Sequence, residues 1–177
     1  MTIVLREPCR LVVMGVAGCG KSSLGGALSL ALGLPLIEGD DFHPPASKDK
    51  MRQGIALTDA DRLGWLDTLA GELGALAQGG VLTCSALKRA YRERLRARLP
   101  GLRFAFLDIA EPLARERVAA RAAQHLFPAS LVSSQFATLE PPVGEPGVLA
   151  LDASLPLARL QQQALHWLAA EGVCDER

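Results

Sequence analysis

The stretch "VVMGVAGCGKSS" (residues 12–23) constrains the chain more than any other. An apolar run breaks into three glycines and then meets a lysine and two serines. Gly15, Gly18, Gly20, Lys21 and Ser22 match G-x-x-x-x-G-K-[ST] at every position, the pattern of a phosphate-binding loop. Its chemistry sets its spacing. Glycines let consecutive backbone N–H groups turn toward one anion, and a helix that opens at the lysine adds its positive end. The pattern thus requires a strand before it and a helix after it. "RLVVM" (10–14) reads as that strand, and Lys21 to Leu32 as that helix. The nucleotide phosphates are then expected against Gly15, Val16, Ala17, Gly18, Cys19, Gly20, Lys21, Ser22 and Ser23. In this arrangement Lys21 reaches the outer phosphates and Ser22 ligates Mg²⁺.

Short apolar runs alternate with segments of helical period along the rest of the chain. "LPLIEG" (34–39), "VLTC" (81–84), "RFAFLDI" (103–109) and "VLALD" (148–152) read as four further strands. Between them, Thr58 is an expected N-cap for a helix carrying leucines 63, 66, 69, 73 and 76 and ending at Gly79–Gly80. Tyr91, Leu95 and Leu99 share a stripe on the next helix, which stops at Pro100–Gly101. Pro112 suits the first turn of another. Leu157 to Ala170 forms the last, and its His166 and Trp167 read as packing or surface residues. Alternation of this kind predicts an α/β fold of three αβα layers, with a five-stranded parallel sheet. At 177 residues one domain spanning 1–177 is expected. The stretch from Ala122 to Pro146 fits the alternation poorly and reads as a short lid, about 122 to 130, followed by a connection.

Nineteen basic residues balance nineteen acidic ones, which argues against nucleic acid or an anionic membrane as partner. Any attraction for an anionic ligand must then be local. The four cysteines fit neither a C-x-x-C pair nor a metal site and read as reduced thiols of a cytoplasmic protein. Glycines interrupt the first apolar run too soon for a signal peptide or a membrane span. The chain contains no asparagine, so the N-K-x-D motif of guanine-specific switches is absent. Large motor ATPases need more chain, which leaves a compact kinase.

Such a kinase needs a carboxylate near the transferring phosphate. Asp108, ending "FAFLD", and Asp40 with Asp41, after "LIEG", both qualify, and spacing alone does not choose. Lys88 and Arg92 lie one turn apart at the start of a helix. Read functionally they suit a substrate carboxylate; read blandly they join Arg89, Arg96 and Arg98 on a solvated face. Arg117 and Arg121, also one turn apart, lead into the lid segment, where arginines would cover the phosphates.

Four blocks, "GVAGCGKSS", "GDDFHPPASKDKMRQGIALTDADRLGWL" (39–66), "CSALKRAYRERLR" (84–96) and "SLVSSQFATLEPP" (130–142), run in an order that resembles the gluconokinase family of small P-loop kinases. These are related in fold to shikimate and nucleoside monophosphate kinases. The resemblance implies ATP-dependent phosphorylation of D-gluconate at its 6-hydroxyl, with ATP and Mg²⁺ required and a homodimer common. It favours Asp40 over Asp108 as the acidic residue beside the acceptor hydroxyl, with Mg²⁺ reached through water. It gives His43, Lys88 and Arg92 weight as acceptor ligands. Trp65 would anchor its helix and border the acceptor site with Asp59 and Asp61, and Pro156 would edge the adenine pocket. The chain departs from the family pattern at Ser47, where an asparagine is usual, and at Gly64, where a proline is common. It departs again in the lid, where Gln124, His125, Leu126 and Phe127 replace G-H-F. Kinases of other hydroxy-acids such as shikimate, and a silent ATP-binding regulatory module, are the competing readings.

Overall fold

A computed structural model describes residues 3–121, 128 and 130–176. Its elements in chain order are β1 (Ile3–Leu5), β2 (Cys9–Met14), α1 (Lys21–Leu32), β3 (Leu36–Glu38), a 3₁₀ turn (Gly39–Phe42) and α2 (Pro45–Arg52). Then come α3 (Asp59–Ala75), β4 (Gly79–Thr83), α4 (Arg89–Arg98), β5 (Arg103–Asp108) and α5 (Glu111–Ala120). The last are α6 (Ser130–Thr138), β6 (Val148–Asp152), α7 (Leu157–Ala170) and β7 (Cys174–Glu176). Five strands form one sheet in the order β3-β4-β2-β5-β6, with every pairing parallel.

The apolar run of β2 explains why it lies at the centre. Leu11 and Val13 face one side, in a continuous cluster with residues of α1, α5, α6 and α7. Leu24 and Leu28 come from α1, Ala114 from α5, Val132 from α6, and Leu160, Ala164 and Leu165 from α7. Val12 and Met14 face the other side, where Trp65, Leu66, Leu69 and Leu73 of α3 and Tyr91 and Leu95 of α4 cover them. Both faces of the sheet are therefore sealed by helices, as parallel pairing requires. The crossovers leave the carboxyl ends of β2, β3 and β4 on one edge, and this edge holds the site.

Thr58 caps α3 as its sequence position predicts. Its hydroxyl accepts from the Asp61 N–H at 3.2 Å, and the Asp61 carboxylate accepts from the Thr58 N–H at 2.8 Å, a reciprocal capping box. Lys50, 2.8 Å away, and then the Thr58 contacts hold the Asp61 carboxyl down at about 2. Replacing Thr58 by Ala is expected to cost about 1 kcal/mol, read as a fall of roughly 2–4 °C in Tm, because one helix-end N–H loses its acceptor.

Three features differ from the sequence expectation. Helix α3 ends at Ala75, and Gly79–Gly80 open β4 instead of closing the helix. Residues 45–52, where no helix was expected, form α2, with Pro45 at its first position. Strands β1 and β7 pair antiparallel in a small second sheet, tied by the Arg6–Asp175 ion pair. Three-residue strands are too short for periodicity to reveal.

Candidate functional site

The loop from Gly15 to Gly20 joins the central strand to α1, and its backbone explains its glycines. Gly15 has φ 141° and Gly18 has φ 80°, both in the region that side chains avoid. A Cβ on Gly18 would also lie 2.7 Å from the Ala114 carbonyl, and one on Gly15 would lie 2.9 Å from that of Leu107. Val16 and Cys19 turn their side chains into the core and anchor the loop from below. Burial pushes the Cys19 thiol up, which keeps it protonated and unreactive despite nearby Lys21. The Lys21 ammonium donates to the Gly15 and Val16 carbonyls, each at 3.1 Å, so it arches over the loop.

A cleft of about 210 Å³ opens beside this loop. Lys21, Ser22, Asp40, His43, Arg62 and Trp65 contribute to its wall. Asp40 comes from the 3₁₀ turn after β3, and its side chain is 84% exposed. His43 is the opposite case, only 6% exposed and stacked on Trp65 with centroids 4.0 Å apart at 16°. The Trp65 indole N–H donates to the Gly39 carbonyl at 2.8 Å and so fixes the stack to the turn that carries Asp40. His43 Nε2 lies 3.7 Å from Asp40 Oδ1, while its buried Nδ1 has no hydrogen-bond partner among the described residues.

The structure separates the two rival carboxylates. Asp40 lines the cleft with Lys21 and Ser22, whereas Asp108 stands exposed at the end of β5 and does not. It also separates the cations. Arg92 is fully buried and lies outside the cleft lining. Its Nε donates to Glu145, Nη1 to the Ala86 and Leu87 carbonyls, and Nη2 to the Glu140 carbonyl and to Glu145. All five guanidinium N–H groups are thus engaged within the protein, and none is left for a substrate carboxylate. Lys88 also lies outside the lining, its ammonium 2.8 Å from Asp59. That hydrogen bond holds the Asp59 carboxyl below its ordinary range, with Tyr91 adding to it.

Arg117 does not line the cleft and donates to the Ala153 carbonyl at 3.0 Å, whereas Arg121 does line it. Ser23 follows Ser22 on the first turn of α1 and is exposed. Pro156 caps the start of α7, outside the cleft lining. Of the expected lid, Gln124, His125, Leu126 and Phe127 lie outside the described residues.

Three cleft-side residues escaped the sequence reading. Glu38 accepts from the Ser22 hydroxyl at 3.1 Å and from Thr83 at 2.5 Å, so a carboxylate stands beside the serine expected to hold Mg²⁺. Its place at the end of a predicted strand, two residues before Asp40, was the available signal. Arg62, four residues from Thr58 on α3, brings a cation to the cleft, with its guanidinium 5.7 Å from the Tyr91 ring centre. Gln135 reaches across from α6 to the loop.

Similarity to known proteins bears on this arrangement. A gluconokinase of Gluconobacter oxydans (strain 621H) is 41% identical over 170 residues, covering 93% of this chain and 94% of that protein. The chain belongs to the gluconokinase family. The crystal structure of a gluconokinase from Sinorhizobium meliloti 1021 superposes on it with a TM-score of 0.85 at 46% identity, covering 93% of this chain and 94% of that one. A deoxyadenosine kinase from M. mycoides, at 14% identity and TM-score 0.63, shares the fold alone; the match covers 91% of this chain and 98% of that one. No model of a known protein family matches the chain. Among the described residues no helix is long and apolar enough to cross a membrane.

Proposed function

We propose that this gluconokinase-family chain, as one domain, transfers the γ-phosphoryl group of ATP to the 6-hydroxyl of D-gluconate, giving 6-phospho-D-gluconate and ADP. The observation that carries the reading is the convergence of Lys21, Ser22, Asp40 and His43 on one cleft, with Arg62 on its wall. The loop amides and Lys21 hold the phosphates of ATP. Asp40 accepts the proton of the acceptor hydroxyl as its oxygen bonds to the γ-phosphorus. The bond from that phosphorus to the β–γ bridging oxygen breaks, and ADP leaves with the electron pair. His43, on the same wall, meets a hydroxyl of the polyol. Arg62 takes the role for the sugar-acid carboxylate that the sequence suggested for Arg92, and Arg121 neutralises charge on the transferring group.

Ser22 Oγ and Glu38 Oε2, 3.1 Å apart, are hard oxygen donors suited to Mg²⁺ and its bound water. Bound there, Mg²⁺ would offset phosphate charge. A cytoplasmic location agrees with the free, buried cysteines Cys9, Cys19, Cys84 and Cys174. A homodimer rests on the resemblance alone.

The test is an ADP-release screen of sugar acids and shikimate. Turnover of D-gluconate well above the other acceptors is the expected result. Turnover of shikimate with gluconate inert would replace the acceptor, and tight ATP binding with no acceptor turned over would favour the silent regulatory module.

A further inference from the structure

Gln135 of α6 spans from the wall of the cleft to the phosphate loop. Its side-chain oxygen accepts the Ala17 N–H at 2.6 Å, bridging 118 residues of sequence. Ala17 lies in the first half of the loop, ahead of the Gly20–Lys21–Ser22 corner where α1 begins. That contact fixes the orientation of the carboxamide. An amide oxygen accepts and an amide nitrogen only donates, so with the oxygen on the loop the NH₂ group is directed away from it. Among the described residues the NH₂ group has no hydrogen-bond partner, and Gln135 is only half-buried in the same wall as Lys21 and Asp40.

An oriented pair of donors beside the loop, in a cleft that also holds a carboxylate, fits an anionic oxygen on a bound ligand. The inner phosphates of a nucleotide fall to the amides at the start of α1. The oxygens that remain for a donor at Ala17 are those of the terminal phosphate. We infer that Gln135 is a ligand of the terminal phosphate of the bound nucleoside triphosphate, holding Ala17 with its oxygen and the transferring group with its nitrogen. This rests on the phosphoryl-transfer reading and adds a contact that distinguishes triphosphate from diphosphate. It also ties α6 to the loop, so that helix and loop receive the phosphate as one unit.

A purely structural buttress would need only the oxygen, and that difference gives the test. Gln135→Glu keeps an acceptor for the Ala17 N–H but replaces the donor with a negative oxygen; Gln135→Ala removes both. Binding of a non-hydrolysable ATP analogue and of ADP is measured by calorimetry for each variant, with the apo melting temperature alongside. In Gln135→Glu the analogue is expected to bind about tenfold or more weakly and kcat to fall about thirtyfold, while the ADP Kd stays within about twofold. In Gln135→Ala the analogue weakens about threefold with ADP again little changed. Wild-type analogue binding in Gln135→Glu would overturn the assignment. Equal weakening of ADP and analogue in Gln135→Ala would overturn it too, and decides the matter if the glutamate variant does not fold. Because nucleotide binding is read without any acceptor, these results stand apart from whether gluconate is the substrate.

Discussion

Asp40→Asn lowers kcat by about two to four orders of magnitude while the Kd for an ATP analogue stays near wild type: this is the expected result of removing the proton acceptor. The substitution is nearly isosteric, and Asp40 sits on an exposed 3₁₀ turn with 84% of its side chain accessible, so the fold has little to lose. Nucleotide affinity should survive, because the loop amides and Lys21 come from the β2–α1 connection instead. Asp108→Asn is the matched control. Asp108 stands at the end of β5 outside the cleft, and its backbone carbonyl, which accepts from the Ala153 N–H at 2.8 Å, is untouched by the change. Steady-state kinetics on both variants decide the assignment. Near-normal turnover in Asp40→Asn with Asp108→Asn inactive would reverse it.

That choice shows what the sequence can and cannot carry. The central strand, the phosphate loop and the N-cap at Thr58 were legible because each is a local pattern of residues that solve one physical problem side by side. The five parallel strands were legible from the alternation of apolar runs with helical periods. Pairing across the fold was not. Glu38 and Ser22 meet only because β3 ends next to the first turn of α1, and Gln135 meets Ala17 only because α6 packs near the loop. Arg92 and Arg62 illustrate the same limit for cations. Both belong to blocks that resemble the family, but helix rotation decides their fates, sending Arg92 inward to Glu145 and Arg62 to the cleft wall.

Glu145→Ala is expected to be the most destabilising of these substitutions. Arg92 is fully buried and the Glu145 side chain is 9% exposed, with the two joined at 2.5 Å and Arg96 also on Glu145 at 2.9 Å. Removing one partner of such a pair strands a buried charge, which costs about 3–5 kcal/mol. For a chain of this size that corresponds to a fall of roughly 10 °C in Tm. The acceptor KM, measured at a temperature where the variant is folded, should be unchanged, since neither residue lines the cleft. The pH dependence carries a second signature. Hydrogen bonds from Arg92, and then from Arg96, hold the Glu145 carboxyl below its ordinary value of 4.5. A depressed acid contributes stability that is present above its unfolded value and disappears as pH falls through its folded one. Wild-type protein should therefore lose this contribution on acidification below about 4.5, and the variant should show a shallower decline over the same range. A raised acceptor KM with Tm unmoved would return Arg92 to the acceptor site; the buried, fully engaged guanidinium argues for the opposite outcome.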